Sequence, residues 1–276
     1  MARHPSFFSE NVIAQRIKSG RGQGQGAKYQ PWLQIQDVPS DGRSHRIYSY
    51  KTKRVHHLLS DLELATFLMF DWSESVLDIR EQFPLIRDDT RSIAQNEGIK
   101  HPSVRGVDQV MTTDFLIDAK EPFQKQFAVQ VKYGESFRDE RTIEKLDLER
   151  CYWRQKGTPW VAITEQDIDI VIKKNIEWLY PAQTDDITTA KRIPELMAAL
   201  PAAISRFPEL TIIEACKRID LAYGLELGQS LQDLRLLMAN RLVIFDIRKP
   251  VRQLKVSDLT FMQLSEMEQF LYVENQ

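Results

Sequence analysis

Met111-Thr-Thr-Asp-Phe-Leu-Ile-Asp118 and Phe127-Ala-Val-Gln-Val-Lys-Tyr133 read as two short strands. Side chains alternate faces along a strand. Phe127, Val129, Val131 and Tyr133 therefore share one face, and Gln130 and Lys132 the other. Phe115 and Ile117 point one way and Asp114 the opposite way. A carboxylate, an amide and an ammonium then meet on one patch of an otherwise apolar sheet. Burying such groups is costly unless they are paired or bind a metal.

Working outward, Ser60-Asp-Leu-Glu63 is a capping box that opens a helix running to about Phe70. Glu63 has two readings: a cap bonding back to the Ser60 amide, or a second carboxylate for the site. Val76–Leu85 reads as a strand ended by Pro84. Residues 86–110 are polar, contain Gly98, Pro102 and Gly106, and predict a long loop with at most a helical turn. Ile143, Leu146, Arg150 and Trp153 recur at helical spacing within a helix from Asp139 to Lys156. Gly157 caps it and Pro159 prevents continuation. Trp160–Thr164 is a further strand. The order is αβββαβ, an α/β fold with a mixed sheet flanked by helices.

After Thr164 the texture changes. A helix over 168–180 stops at Pro181, a polar connector follows, and helices are predicted at 193–207, 212–223 and 231–239. Asn240 is the expected left-handed stop, and Arg241–Ile247 a strand. Helices, a turn at Gly224 and a strand predict a winged helix-turn-helix. The candidate recognition helix carries Arg235 as its cation, which suits protein docking or a structural role better than base reading. The domains are expected at 1–168 and 169–276.

The 276 residues are 42% hydrophobic and 28% charged, enough apolar material for real cores. No apolar run approaches the roughly 20 residues that span a bilayer. The opening residues lack the apolar stretch of a secretory signal, so a cytoplasmic protein without a membrane partner is expected. Cys151 and Cys216 are too few for a disulfide framework or a Cys-type zinc site. The net charge is −2, yet residues 1–57 carry Arg3, Arg16, Lys18, Arg21, Lys28 and five further cations against Glu10, Asp37 and Asp41. A basic arm predicts phosphate contacts. Gly20–Gly26 imitates a dinucleotide fingerprint, but no strand precedes it, and a flexible basic loop is the expected state. Residues 45–57 predict a hairpin turning near Lys51-Thr52-Lys53.

The chemistry that suits this set is phosphodiester hydrolysis with bound Mg²⁺, for which Mn²⁺ can substitute. Mg²⁺ takes hard oxygen ligands: the carboxylates of Glu63 and Asp114, the Gln130 side-chain carbonyl and the Val131 backbone carbonyl. Lys132 would orient or deprotonate the attacking water, or steady developing charge. The catalytic set is then Glu63, Asp114, Gln130 and Lys132. A carboxylate followed by a polar-x-Lys strand is the pattern of restriction-type endonucleases. Glu149 is either a distal carboxylate or a solvated partner of Arg150 or Lys145. His56 and His57, adjacent on a strand, point apart and are read as non-ligands.

Longer stretches carry a more specific signal: Gly20-Arg-Gly-Gln-Gly, Gly42-Arg-Ser-His-Arg-Ile-Tyr-Ser, Val55–Ala65, Val76–Leu85, Arg105-Gly-Val-Asp-Gln-Val110 and Asn175-Ile-Glu-Trp-Leu-Tyr180. On these the chain resembles, nearly end to end, the TnsA family of endonuclease subunits of Tn-seven-type heteromeric transposases. The resemblance implies a restriction-endonuclease-like N-terminal domain, a winged-helix C-terminal domain, and a metal site at Glu63, Asp114, Gln130 and Lys132. It implies cutting of the 5′ strand at transposon ends in double-stranded DNA. The implied partners are an integrase-like subunit, TnsB, and an ATPase regulator, TnsC, docking through the C-terminal part. The broader restriction-type pattern has an acid where this chain has Gln130, which removes one negative charge. The competing reading is a non-catalytic adaptor with a degenerate nuclease fold that bridges DNA and the ATPase.

Overall fold

Runs rich in Val, Ile and Phe lie at the centre of the chain, and a computed structural model gathers them into one sheet. It describes residues 8–37, 42–121, 125–184 and 187–262. Arg3 of the basic segment and part of the link after Lys120 lie outside them. The chain divides into two units, Met1–Ile168 and Asp169–Gln276.

The first unit runs α1 (Glu10–Lys18), β1 (His45–Ser49), β2 (Arg54–Leu58), α2 (Asp61–Trp72), β3 (Val76–Pro84), α3 (Arg87–Asn96), β4 (Ser103–Val104), β5 (Val107–Asp108), β6 (Thr112–Ala119), β7 (Gln126–Val131), α4 (Glu140–Gln155) and β8 (Trp160–Ile163). The central sheet has the order β3-β6-β7-β8. The first two pairings are antiparallel and β7–β8 is parallel, so the sheet is mixed as predicted. On one side Leu116 and Ala128 pack with Ile93 and Ala94 of α3 and Leu148, Cys151, Tyr152 and Trp153 of α4. Elsewhere the Phe70 ring of α2 meets Phe115 and Phe127 edge-on. The α4 stripe differs from the predicted one: Ile143 is exposed, and Leu146, Leu148, Tyr152 and Trp153 supply the buried face.

The predicted loop at 86–110 is instead α3 followed by the β4–β5 hairpin. The helix hides from a periodicity search because only Thr90, Ile93 and Ala94 face inward. Asp88 and Asp89 in its first turn favour the helix N-terminus. The hairpin turns on Arg105 and Gly106, both at positive φ, as a two-residue hairpin turn requires.

The basic segment is not a free arm over its described part. Arg16 donates to the Trp32 carbonyl at 2.6 Å, pairs with Asp37 at 2.7 Å and lies over the Phe8 ring. Arg21 donates to the Pro31 carbonyl at 3.1 Å. The glycine-rich loop is packed as well: a Cβ on Gly22 would stand 2.1 Å from Pro84 Cγ. Cations that look solvated in sequence are consumed here by internal carbonyls and Asp37. Lys18 and Lys28 remain exposed.

The predicted β1–β2 hairpin forms, and its inner side carries a buried ionic network. Arg54 donates to Glu81 Oε1 at 2.8 Å and to the Ile79 carbonyl at 2.7 Å. His56 Nδ1 lies 2.9 Å from Glu81 Oε2, and its Nε2 meets Thr52 Oγ1 at 2.7 Å. Burial opposes the Glu81 charge, but His56 and Arg54 outweigh it and hold its carboxyl far below the usual range. His56 is thereby a structural residue.

The second unit comprises α5 (Ile170–Leu179), α6 (Ile187–Ile204), α7 (Ile212–Tyr223), α8 (Gln229–Ala239) and the antiparallel pair β9 (Val243–Ile244) and β10 (Thr260–Phe261). Its α6 begins before the predicted Ile193 and runs through Pro194 and Pro201. The predicted strand 241–247 is only two residues long. Asn240 is not the left-handed residue, because its side chain donates to the Leu236 carbonyl at 2.7 Å and keeps it in the last turn; Arg241 takes φ +59° instead. Buried Asp220 staples α7 to α8, accepting from the amides of Gly228 (2.7 Å) and Ser230 (2.9 Å). Arg235 of α8 donates to the Trp178 carbonyl at 2.6 Å and lies over its ring. Among the described residues no helix is long and apolar enough to cross a membrane.

Arg54→Ala leaves Glu81 as a buried charge without its guanidinium. We expect it to destabilise the first unit by roughly 3–5 kcal/mol, read from guanidinium unfolding followed by tryptophan fluorescence.

Candidate active site

The backbone ladder between β6 and β7 ends at Phe115↔Val129. Beyond it the strands part, and side chains take over the unpaired backbone groups. The Asp114 N–H donates to Gln130 Oε1 at 3.0 Å, and the Val131 N–H donates to Asp114 Oδ2 at 2.8 Å. Asp114 and Gln130 thus clip the diverging strands. An amide oxygen has two lone pairs, so this bond leaves Gln130 one more. The Lys132 ammonium donates to the Val131 carbonyl at 2.9 Å and lies 3.6 Å from Asp114 Oδ2. Burial works against its charge, but Asp114, Glu149 and Glu63 outweigh it and raise the Lys132 pKa above its ordinary value.

Glu63 arrives from the first turn of α2. The Ser60 hydroxyl accepts the Glu63 amide at 3.0 Å, as an N-cap does. The return half of the expected box differs: the carboxylate accepts from the Leu59 amide (2.9 Å) and the Ser60 hydroxyl (3.2 Å) rather than from the Ser60 amide. The oxygen that accepts from Leu59, Oε2, is also the one that meets Gln82 of the sheet. Burial and the neighbouring Asp114 push the Glu63 pKa from 4.5 to about 8.

The residue that joins the two carboxylates is Gln82, which reading by residue type does not single out. Its Nε2 donates to Asp114 Oδ1 at 3.1 Å and to Glu63 Oε2 at 3.4 Å, and its Oε1 accepts from Thr112 Oγ1 at 3.2 Å. It lies in β3 between two ladder pairs, Glu81↔Phe115 and Phe83↔Thr113, with φ +47°. The available signal was the run Arg80-Glu81-Gln82, three polar residues in a strand that the apolar pattern requires to be buried. All three are buried.

Glu149 is not a solvated partner of Arg150 or Lys145. It is 3% exposed and accepts from Thr113 Oγ1 (2.7 Å) and Trp160 Nε1 (2.9 Å). Burial raises its pKa to about 8, and Thr113 and Trp160 only partly offset this. Trp153 Nε1 donates to the same Thr113 hydroxyl at 2.7 Å. Glu149 therefore fixes the residue next to Asp114 through a bonded chain. Arg150 pairs with Asp147 instead.

The structure thus brings Glu63, Asp114, Gln130, Val131 and Lys132 into one place. Among the described residues no three His, Cys, Asp or Glu side chains form a ligand cluster. Any cation here would lean on two carboxylates and on neutral oxygens.

A mixed sheet carrying two linked carboxylates and a lysine defines a nuclease-like first unit, and the comparisons agree. Residues 73–165 match the family described as TnsA-like endonuclease N terminal, and residues 167–247 match TnsA endonuclease C terminal. The chain belongs to the TnsA endonuclease family. Over its full length, and over the full length of that protein, it is 55% identical to "Transposon Tn7 transposition protein TnsA" of Escherichia coli. Asp114, Gln130 and Lys132 fall inside the first matched segment, and Glu63 lies ahead of it.

The raised carboxyl has a measurable consequence. Folded Glu63 keeps its proton up to about 8, whereas in the unfolded chain it ionises near 4.5. The folded state therefore binds more protons across this interval. Stability falls as pH rises from 4.5 to about 8 and levels off above it. Glu149 acts in the same direction. In chelator, Glu63→Gln should melt above the wild type near pH 8, with the gap closing toward pH 4.5. A gap that ignores pH would refute this assignment.

Proposed function

We propose that this chain is a metal-dependent subunit that cuts the 5′ strand at transposon ends in double-stranded DNA. The reading is carried by one observation: Glu63 and Asp114 converge on a single amide nitrogen, with the Lys132 ammonium beside Asp114. Two facing buried carboxylates are unfavourable in isolation. Burial first, and the facing Asp114 second, raise the Glu63 pKa. The donors are all hard oxygens, the set that suits Mg²⁺, with Mn²⁺ as its substitute. Glu63, Asp114, the Gln130 side-chain carbonyl and the Val131 backbone carbonyl would hold the ion. When bound, it supplies Lewis acidity toward the scissile phosphate and a more acidic water.

The chain's own residues do the rest. Lys132, whose pKa is raised above its ordinary value chiefly by Asp114 beside it, is poorly suited to act as a base. Its ammonium instead steadies the charge that develops on the phosphate oxygens. Asp114, clipped through Gln130 and Val131, keeps a fixed orientation. Glu149 holds Thr113, and through it the start of β6.

The name of the Escherichia coli relative places that protein in transposition. By that likeness we assign this chain to a complex with an integrase-like subunit, TnsB, that processes the 3′ ends, and an ATPase regulator, TnsC, that docks on the C-terminal unit. The inward-turned Arg235 of α8 supports protein docking over base reading by that helix. A role on cellular DNA places the chain in the cytoplasm.

In the assembled complex with end-containing DNA and Mg²⁺, Asp114→Ala should assemble normally and lose 5′-strand cleavage. Lys132→Met should cut roughly 10²–10³-fold more slowly. If Asp114→Ala cuts like the wild type, the non-catalytic adaptor is the correct reading.

A further inference from the structure

Gln82 sits in a strand but has the backbone of a turn. A non-glycine residue at φ +47° persists only where its surroundings over-determine it. Here they do. The Trp32 N–H donates to the Gln82 carbonyl at 3.1 Å. The preceding Glu81 is pinned through its side chain by Arg54 and His56 and through its carbonyl by the Tyr29 hydroxyl at 3.0 Å. The side chain is fixed at its far end as well, since Thr112 donates to its Oε1. What this scaffold delivers is one NH₂ group, hydrogen-bonded to Asp114 on one side and Glu63 on the other. That is the place a cation shared by the two carboxylates would take.

We propose that Gln82 is a positioning residue that stands in for the cation: its carboxamide keeps Glu63 and Asp114 facing one point in the metal-free protein, and a divalent ion displaces its NH₂ on binding. The inference rests on the reading of Glu63 and Asp114 as metal ligands. An amide offers partial charge where an ion offers a full one, so it yields to the ion but lowers the apparent affinity. Hydrogen bonds made only in the metal-free state oppose metal binding in proportion to their strength. The consequence is a nuclease that holds its metal weakly until the substrate phosphate adds its own oxygens.

The test is a Mn²⁺ titration of the full chain without DNA. Free Mn²⁺ is followed by electron paramagnetic resonance at one pH held the same for every variant. Gln82→Gly suits the positive φ, and Gln82→Met keeps the side chain's length without an N–H donor. Both should bind Mn²⁺ about fivefold more tightly than the wild type, whereas Asp114→Asn should lose the site. Loss of a merely structural contact would weaken binding or leave it unchanged; removal of a displaced competitor strengthens it. Equal or weaker affinity in either variant that keeps the wild-type circular dichroism overturns the proposal. In the unmutated protein, the Gln82 side-chain amide resonance should shift on saturation with Mg²⁺, and an unmoved resonance also overturns it. If Asp114→Asn holds Mn²⁺ as well as the wild type, the metal-ligand reading itself has failed, an outcome distinct from the other two.

Discussion

Glu63 and Asp114 are buried acidic side chains hydrogen-bonded to the same Gln82 amide nitrogen. Were both ionised, their repulsion at short range and reduced dielectric would amount to several kcal/mol. Much of the first unit can be understood as what holds them there. Glu63 is anchored by the cap of α2, where the helix N-terminus favours negative charge. Asp114 is anchored by two backbone-to-side-chain bonds at the point where β6 and β7 separate. Gln82 is anchored on a backbone at φ +47°, a conformation that a regular strand would not supply.

The buried cluster around Glu81 belongs to the same arrangement. Adjacent residues on a strand face opposite ways, and Glu81 and Gln82 divide the work accordingly. Glu81 binds Arg54, His56 and the amide of His57 on one side. Gln82 meets the site carboxylates on the other. A buried ion pair contributes little net stability compared with apolar packing. Its value here is that it fixes β3 in a conformation which otherwise would relax. The β1–β2 hairpin is then part of the site's support, although none of its side chains is bonded to Glu63 or Asp114 among the contacts described.

Legibility in the sequence followed the strength of local periodicity. β6 and β7 are short apolar runs broken by a few polar residues, so Asp114 and Gln130 could be placed on them and Lys132 just past β7, and the structure brings them together. Helix α3 was unreadable because its buried stripe is only Thr90, Ile93 and Ala94. For Gln82 the polar run Arg80-Glu81-Gln82 was the one signal, and its role also depends on a positive φ that neither its residue type nor its spacing announces. Of the two readings of Glu149, the solvated partner of Arg150 or Lys145 fails because its actual partners, Thr113 and Trp160, are not neighbours in sequence. The same holds for Arg16 and Arg21, whose acceptors lie beyond a turn. Local pattern reveals elements; it does not reveal which polar group a buried charge will find.

The two glutamines explain one another. An acid in place of Gln130 would be a third carboxylate beside Asp114 and Glu63, with Glu149 close enough to act on Lys132 and to feel Asp114. Each added negative charge would raise the neighbouring carboxyl pKa values further and favour their protonated forms near neutrality. An amide at 130 accepts the Asp114 N–H equally well without adding charge. An amide at 82 donates to both carboxylates, again without adding charge. The site therefore keeps its shape in the absence of a counter-ion at the expense of affinity for one. That trade suits an endonuclease whose metal should be gripped firmly only when a phosphate backbone completes the ligand set.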